Sequence, residues 1–446
     1  MARNSQSRAP VSRLVVMAWC SFDWANQSFP TVIMTFVFAA YYTKGVAPDE
    51  ITGTSQWAYM MSASMLVVAF TGPVLGAIAD QYGRRKLWIC AFSVLCIGAS
   101  AGLWFVSPDS SSVYLALILV ALGNIGFETA TIFYNAMLPS LAPPALTGRI
   151  SGWGWGLGYA GGLVCLAAVL LLLIQPDPPL FPLDRDAAEH LRASGVLVAL
   201  WFALFALPFF IVVPDVPSTG ITLRKAVNRG LGTLLRTFRE VRRYRQIALY
   251  LLARMIYTDG LNTVFAIGGI YAAVTFAMDF DEILLFGIAI NVAAGLGAFA
   301  FGWIDDWIGP KRTVLIALAA LTILGAAVLL VTSKTWFWIS VLPLGMFFGP
   351  TQSASRTLMA RMAPEHLEGE MFGLYALSGK ATAFFGPVLF GFATSLADSQ
   401  RAGLATVLAF FVIGGLLLMA VREPTPKDRP SYGRRIDDVG SDVRQA

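Results

Sequence analysis

Charge is scarce in this chain. Only 13% of its 446 residues are Asp, Glu, Lys or Arg, and 57% are hydrophobic. Soluble globular domains carry about 25% charged residues. The deficit excludes an ordinary soluble domain and argues for a polytopic membrane protein. Histidine is scarcer still: His190 and His366 are the two copies, both in loops and on opposite sides. The four cysteines, Cys20, Cys90, Cys96 and Cys165, all fall in apolar runs, and none forms a C-x-x-C pair. A structural zinc site or a disulfide framework therefore has no support, and the expectation is no metal and no cofactor. There is no G-x-x-x-x-G-K-[ST] loop, so nothing suggests ATP use. An intramembrane enzyme would need paired carboxylates on one helix or a His/metal cluster, and two distant histidines do not make one. A cleavable signal peptide is not evident, because Arg3, Arg8 and Arg13 precede an apolar span too long and too polar for a signal h-region.

Long apolar runs are abundant. A helix needs about 20 apolar residues to cross a bilayer, and twelve runs qualify as candidate spans: 14–42, 56–79, 87–106, 113–138, 150–174, 194–213, 247–275, 283–304, 313–332, 336–357, 372–394 and 404–421. Of the 32 Lys and Arg, only Lys44, Arg185, Arg192, Lys334 and Arg401 fall in outer segments. Three more lie inside spans and all the rest are on the other side. That bias places both termini in the cytoplasm and makes the number of spans even. Nucleic-acid binding is the weaker reading of the basic residues. The expected organisation is a six-helix half at 1–213, a basic linker at 214–246, a second six-helix half at 247–422 and a disordered tail at 423–446. In the linker, Leu223, Val227, Leu231, Leu234, Phe238 and Val241 trace a helical stripe among many arginines. This reads as an interfacial helix on an anionic leaflet, with a solvated basic linker as the alternative.

The stretch Phe22-Asp23-Trp24-Ala25-Asn26-Gln27 organises the first half. Asp23, Asn26 and Gln27 share one helical face. The pattern Asp-x-x-Asn-x-x-Phe returns in span 7 at Asp259, Asn262 and Phe265. A second landmark is Gly76-Ala77-Ile78-Ala79-Asp80-Gln81-Tyr82-Gly83-Arg84-Arg85-Lys86 after span 2. It recurs after span 8 as Gly302 to Arg312, with Asp306 for Asp80, Gly309 for Gly83 and Lys311 for Arg85. A third echo pairs Leu141–Gly148 with Met362–Gly369. Three landmarks repeated in the same order indicate a six-plus-six duplication.

These motifs resemble the major facilitator superfamily over about Arg13 to Arg422. The loop after span 2 matches that superfamily's Gly-x-x-x-Asp-x-x-Gly-Arg-Arg/Lys-Lys signature, and the loop after span 8 matches it in degraded form, with Pro310 in place of Arg84. Phe22–Asn26 and Tyr257-Thr258-Asp259-Gly260 are similar to the vacuole-effluxer-like branch, whose fungal members are associated with amino-acid efflux during autophagy. The resemblance implies twelve transmembrane helices in two pseudo-symmetric halves, a cavity lined by spans 1, 4, 7 and 10, and a monomeric secondary transporter, here expected in a bacterial inner membrane. It also implies a conformational latch at Gly76, Asp80, Gly83, Arg84, Arg85, Asp306, Gly309 and Lys311.

Six ionisable residues fall within the candidate spans: Asp23, Glu128, Arg254, Asp259, Arg356 and Lys380. Each is costly in a bilayer core and marks a functional position or a pair. At about 1.5 Å per residue, Asp23 and Asp259 lie roughly 15 and 18 Å into their spans, near the midplane. Arg254 and Asp259 sit about 140° apart on one helix, so Arg254 is expected to meet a carboxylate on another span, with Glu128 a candidate. Arg356 lies at the cytoplasmic end of its span, as a gate residue would. Three readings compete: ion pairs that hold the bundle in register, a buried carboxylate of raised pKa that carries a proton, and a site for a zwitterion, with a carboxylate for the amine and Arg for the carboxylate. The substrate and proton candidates are Asp23, Asn26, Gln27, Glu128, Arg254, Asp259, Asn262, Arg356 and Lys380. Proton-driven export of amino acids is the preferred expectation, and a lipid, amphiphile or drug translocator on the same fold is the alternative.

Overall fold

The computed structural model describes residues 12–143, 145–176, 178, 180–239 and 244–423. Every regular element among them is helical. Among the described residues, nine helical stretches are long and apolar enough to cross a membrane: Glu50–Tyr82, Arg85–Phe105, Ser110–Leu141, Thr147–Ile174, Glu189–Val212, Glu282–Ile308, Pro310–Leu330, Glu368–Ala397 and Gln400–Met419. They are spans 2 to 6, 8, 9, 11 and 12 of the sequence reading. The three expected spans that fall short are 1, 7 and 10, the ones that carry Asp23, Arg254, Asp259 and Arg356. Span 1 is a helix at Arg13–Asn26 that continues in wide π-type turns at Phe29–Phe36 and Tyr42–Val46. Span 7 is one long helix, Arg245–Phe276. Span 10 is two helices, Lys334–Gly345 and Phe348–Met362. Polar side chains and interruptions gather where helices line a cavity rather than face lipid.

Helix ends follow local chemistry. Asp49 caps span 2 by accepting from the Ile51 and Thr52 amides, and the Thr52 amide above all holds its carboxyl below the ordinary value. Span 11 is not the single helix expected at 372–394. It runs Glu368–Lys380, opens into a turn, and resumes at Phe385–Ala397. Lys380 sits in the last turn of the first piece, where a cation is favoured by the helix dipole.

The two halves meet along two seams, span 2 against span 11 and span 5 against span 8. Both depend on missing side chains. A Cβ on Gly76 would strike the Gly369 carbonyl, one on Gly373 the Gly72 carbonyl, and one on Gly152 the Ala298 carbonyl. Span 5 uses a second glycine row, Gly154, Gly158 and Gly162, to lie against Asp23, Gln27 and Thr31 of span 1. That row is a packing seam of the small-residue kind.

The two signature loops differ in backbone as well as sequence. Gly83 and Arg84 both have positive φ, 75° and 50°. In the second copy Gly309 alone does, at φ 90°, because Pro310 is locked near −65° and opens the next helix instead. The ammonium groups keep a shared task. Lys86 donates to the Phe210 and Val213 carbonyls at the end of span 6, and Lys311 donates to the Met419 carbonyl of span 12.

Gly76→Val should therefore lower the thermal midpoint of the purified protein, by overpacking worth about 1–3 kcal/mol. Gly98→Val, at a position where a Cβ meets nothing within 4 Å, should leave it unchanged. Equal midpoints for the two variants would contradict the close seam.

Candidate functional site: an inter-half lock beneath a charged midplane

Each signature carboxylate caps a helix of the opposite half. Asp80 accepts from the Gly369 amide at 2.9 Å and the Glu370 amide at 2.8 Å. Asp306 accepts from the Gly148 amide at 2.9 Å and the Arg149 amide at 3.2 Å, and it pairs with Arg149 Nε at 3.3 Å. The first amides of spans 11 and 5 have no intrahelical partner and carry the positive end of the helix dipole. A carboxylate there is favoured twice. Arg85 binds Asp80 at 2.8 Å and Glu368 of the other half at 2.9 Å, and donates to the Ala136 carbonyl. Lys311, the counterpart of Arg85 in the second copy, caps span 12 and makes no such bridge. Gly83, Arg84 and Gly309 turn these loops with positive φ, and Gly76 lets span 11 close on span 2.

Deeper in, Arg356 of span 10 crosses to the first half. Its Nη1 meets Asp23 Oδ2 at 3.1 Å and Asn135 Oδ1 at 3.1 Å. Its Nε donates to Ser151 Oγ at 2.9 Å, and Nη2 to the Ser151 carbonyl at 2.6 Å. Trp19 and Trp155 flank the guanidinium at 5.0 and 5.7 Å. Tyr134 Oη donates to Asp23 Oδ2 at 2.9 Å. Arg356 is only 1% exposed. A Cβ on Gly154 would collide with both members of the pair, so the glycine row of span 5 makes room for it.

About two turns further along span 4, Lys380 and Glu128 join the halves at 2.5 Å. Both are half-buried. The expected Arg254–Glu128 pair is not formed. Arg254 stacks on the Tyr375 ring at 3.5 Å and donates to the Tyr375 carbonyl and to Ser378 Oγ. Those bonds hold it on span 11 within its own half, while the break after Lys380 leaves Lys380 as the residue that reaches span 4. Asn262 donates to the Gly379 carbonyl at 3.3 Å, beside this group.

The repeated Asp-x-x-Asn faces are not used alike. Asp23 is in the lock. Asp259 is 2% exposed and turns toward Gly386, at the start of the outer piece of span 11, with Oδ1 unpartnered. Asn26 is buried with both amide atoms unpartnered, and Gln27 lies against Gly158 of span 5. Sequence reasoning passed over Ser151, Glu368, Glu370 and Asp305. Glu370 and Asp305 are fully buried, each with both carboxylate oxygens unpartnered. They stand just outside the hydropathy windows that ended at 304 and began at 372, so they did not count as span charges. No group of three or more His, Cys, Asp or Glu with metal-binding geometry occurs among the described residues.

The model of the family described as vacuole effluxer Atg22 like matches residues 40–146 and 143–428. The chain belongs to that family. Among curated relatives, it is 26% identical to an uncharacterized MFS-type transporter, YxiO of Bacillus subtilis, over 92% of this chain and 95% of that one. It is 22% identical to autophagy-related protein 22-1 of Neosartorya fischeri, over 88% of this chain and 78% of the relative. Solved structures of similar shape include the major facilitator FucP in an outward conformation, at TM-score 0.71, 12% identity and coverage of 92% and 99%. The proton:xylose symporter XylE aligns at TM-score 0.69, 16% identity and coverage of 92% and 96%. This is a multi-pass membrane transporter of the major facilitator fold, and its family is not one of enzymes.

Arg356→Ala and Asp23→Ala should each destabilise the purified transporter by roughly 3–5 kcal/mol, because each leaves a buried charge uncompensated. The double variant should lose clearly less than the sum. A thermal-unfolding mutant cycle checks this, and simple additivity would mean that the two side chains do not act as a pair.

Proposed function

We propose that this transporter exports amino acids or related zwitterions in exchange for protons, from a bacterial cytoplasm, with both termini and the basic loops on the cytoplasmic side. The observation that carries the reading is the midplane group Glu128, Lys380 and Arg254. It offers a carboxylate for an amine and two cations for a carboxylate, and its central pair spans the two halves. A zwitterion that enters between Glu128 and Lys380 replaces their mutual bond with its own two charges. Loss of that inter-half bond would then be offset only when substrate is present, which ties movement to loading. Arg's planar fork suits the substrate carboxylate, with Asn262 alongside.

Asp259 is the residue we assign to the proton. Its Oδ1 is buried without a hydrogen bond, and a carboxyl inside a span marks a place where a proton can be carried. Asp23 and Arg356 belong to the lock, together with Asp80, Arg85 and Asp306. In this scheme a proton enters from outside as substrate leaves, and the lock reforms once substrate has gone.

A specific feature favours a second reading. A cavity of about 400 Å³, lined largely by Phe36, Val37, Leu166, Leu170, Ile174 and Leu284 with Lys44 among them, lies between spans 1, 5, 6 and 8. An apolar slot with a cation suits an amphiphile.

The test is flux of a labelled amino-acid panel in proteoliposomes, with and without an imposed pH gradient. Glu128→Gln and Lys380→Gln should each lower flux at least about tenfold, the loss of one charge-assisted contact. Asp259→Asn should keep exchange but lose the response to the gradient. Full gradient-driven flux in Asp259→Asn would remove it as the proton carrier. Flux of amphiphiles with none of amino acids would favour the second reading.

A further inference from the structure

The linker helix, Leu223–Arg239, has three sectors. At about 100° per residue, Ala226, Gly230, Leu234 and Thr237 fall within one sector of about 80°. All four are buried, and this sector docks on span 2, with Gly230 against the backbone of Ala77 and Ile78. Val227, Leu231 and Leu235 occupy the next ~80°, with Leu223 near the border between the two sectors. Leu223, Leu231 and Leu235 are 51%, 41% and 58% exposed. Arg239, Lys225, Arg236 and Arg229 follow in a sector of about 80°, and all are exposed. Arg224 lies inside the apolar sector, with a stem long enough to carry its charge out of it.

The docking fixes the helix in orientation and depth. The preceding segment is bonded to the signature loop: the Arg84 amide donates to the Val216 carbonyl, Thr219 Oγ1 to the Gln81 carbonyl, and the Lys86 amide to Asp215. Ala77 is five residues before the end of span 2 at Tyr82, about 7 Å along its axis. That is the depth at which interfacial helices rest, with the apolar side in the acyl boundary and the basic side among headgroups.

We infer that the apolar and basic sectors of this helix form a binding face for anionic phospholipid in the leaflet that borders the basic side. The exposed leucines take acyl chain, and Arg229, Arg236, Arg239 and Lys225 take the headgroup charge. Each basic residue close to an anionic surface is worth about fivefold in binding, and the gain shrinks with salt. The inference does not depend on the substrate or on which compartment the basic side faces.

The test uses a fluorophore on Leu235→Cys, in a background without Cys90, reconstituted in phosphatidylcholine vesicles that contain brominated phosphatidylglycerol or brominated phosphatidylcholine at equal content. Quenching should be several-fold stronger by the phosphatidylglycerol, and high salt should reduce the difference. Arg229→Gln, Arg236→Gln and Arg239→Gln combined should abolish the preference and leave quenching by either lipid intact. All three side chains are exposed, so folding is not at risk. Equal quenching by both lipids in the unmodified helix would overturn the anionic site. No quenching by either would show that another surface, such as a second copy, covers the leucines, and would overturn it too.

Discussion

The interaction on which the rest of the basic side depends is one ion pair buried where the two halves meet, Asp23 with Arg356. Arg356 and Asp23 are both taken out of water, and a buried ion pair offsets its desolvation only when every remaining donor and acceptor is used. Here they are. Three guanidinium nitrogens and the carboxylate oxygen that faces them find Asn135, Ser151 and Tyr134. The seam glycines are the geometric condition for this, since a side chain at Gly154 would occupy the space of the pair. A pair that is well satisfied when the halves meet, and that can be satisfied by water when they part, favours two states over a continuum.

Nearer the basic surface, a second set of contacts between the halves uses simpler parts. Asp80 and Asp306 use helix amides of the opposite half, which are unpaired in either conformation unless something reaches them. The copies have diverged. Arg85 bridges the halves, whereas Lys311 caps its own half. Glu423 stands beside Gly309 and binds Arg361 at 3.0 Å, so the segment after span 12 serves the second loop much as the linker serves the first. In the first copy the motif's own arginine reaches a carboxylate in each half, whereas in the second the cross-half arginine is Arg149 of span 5.

Much of this was legible in the sequence. Hydropathy and the twice-written signature loop gave the helical fold, the duplication and the place of Asp80 and Asp306. The buried charges gave nearly all of the inner residues as a set. Their partners were not legible. The pairing of Glu128 with Lys380 rather than Arg254 depends on the turn at 381–384; Ala-Thr-Ala-Phe is itself an ordinary apolar stretch, and the breaking signal lies after it, in Pro387, which has no N–H and crowds the Ala383 carbonyl. The repeated Asp-x-x-Asn face suggested two equivalent roles, yet Asp23 meets a base across the seam and Asp259 meets a helix start. Equal motifs acquire unequal neighbours once the halves diverge. Asp305 and Glu370 escaped notice because a hydropathy window ends where charge begins, although a long close-packed helix continues past that point.

The central claim is that the Asp23–Arg356 pair holds the basic side shut. It is tested most directly by the distance distribution between spin labels at Ala145 and Glu365, exposed positions in the corresponding loops of the two halves, measured by double electron–electron resonance in lipid nanodiscs. The account predicts a predominantly short distance in the otherwise unmodified protein. It predicts a shift of the main population to longer distances in Arg356→Gln, with no such shift in Arg312→Gln outside the lock. An unchanged distribution in Arg356→Gln would show that the halves are held by their helix seams alone, and would contradict the claim.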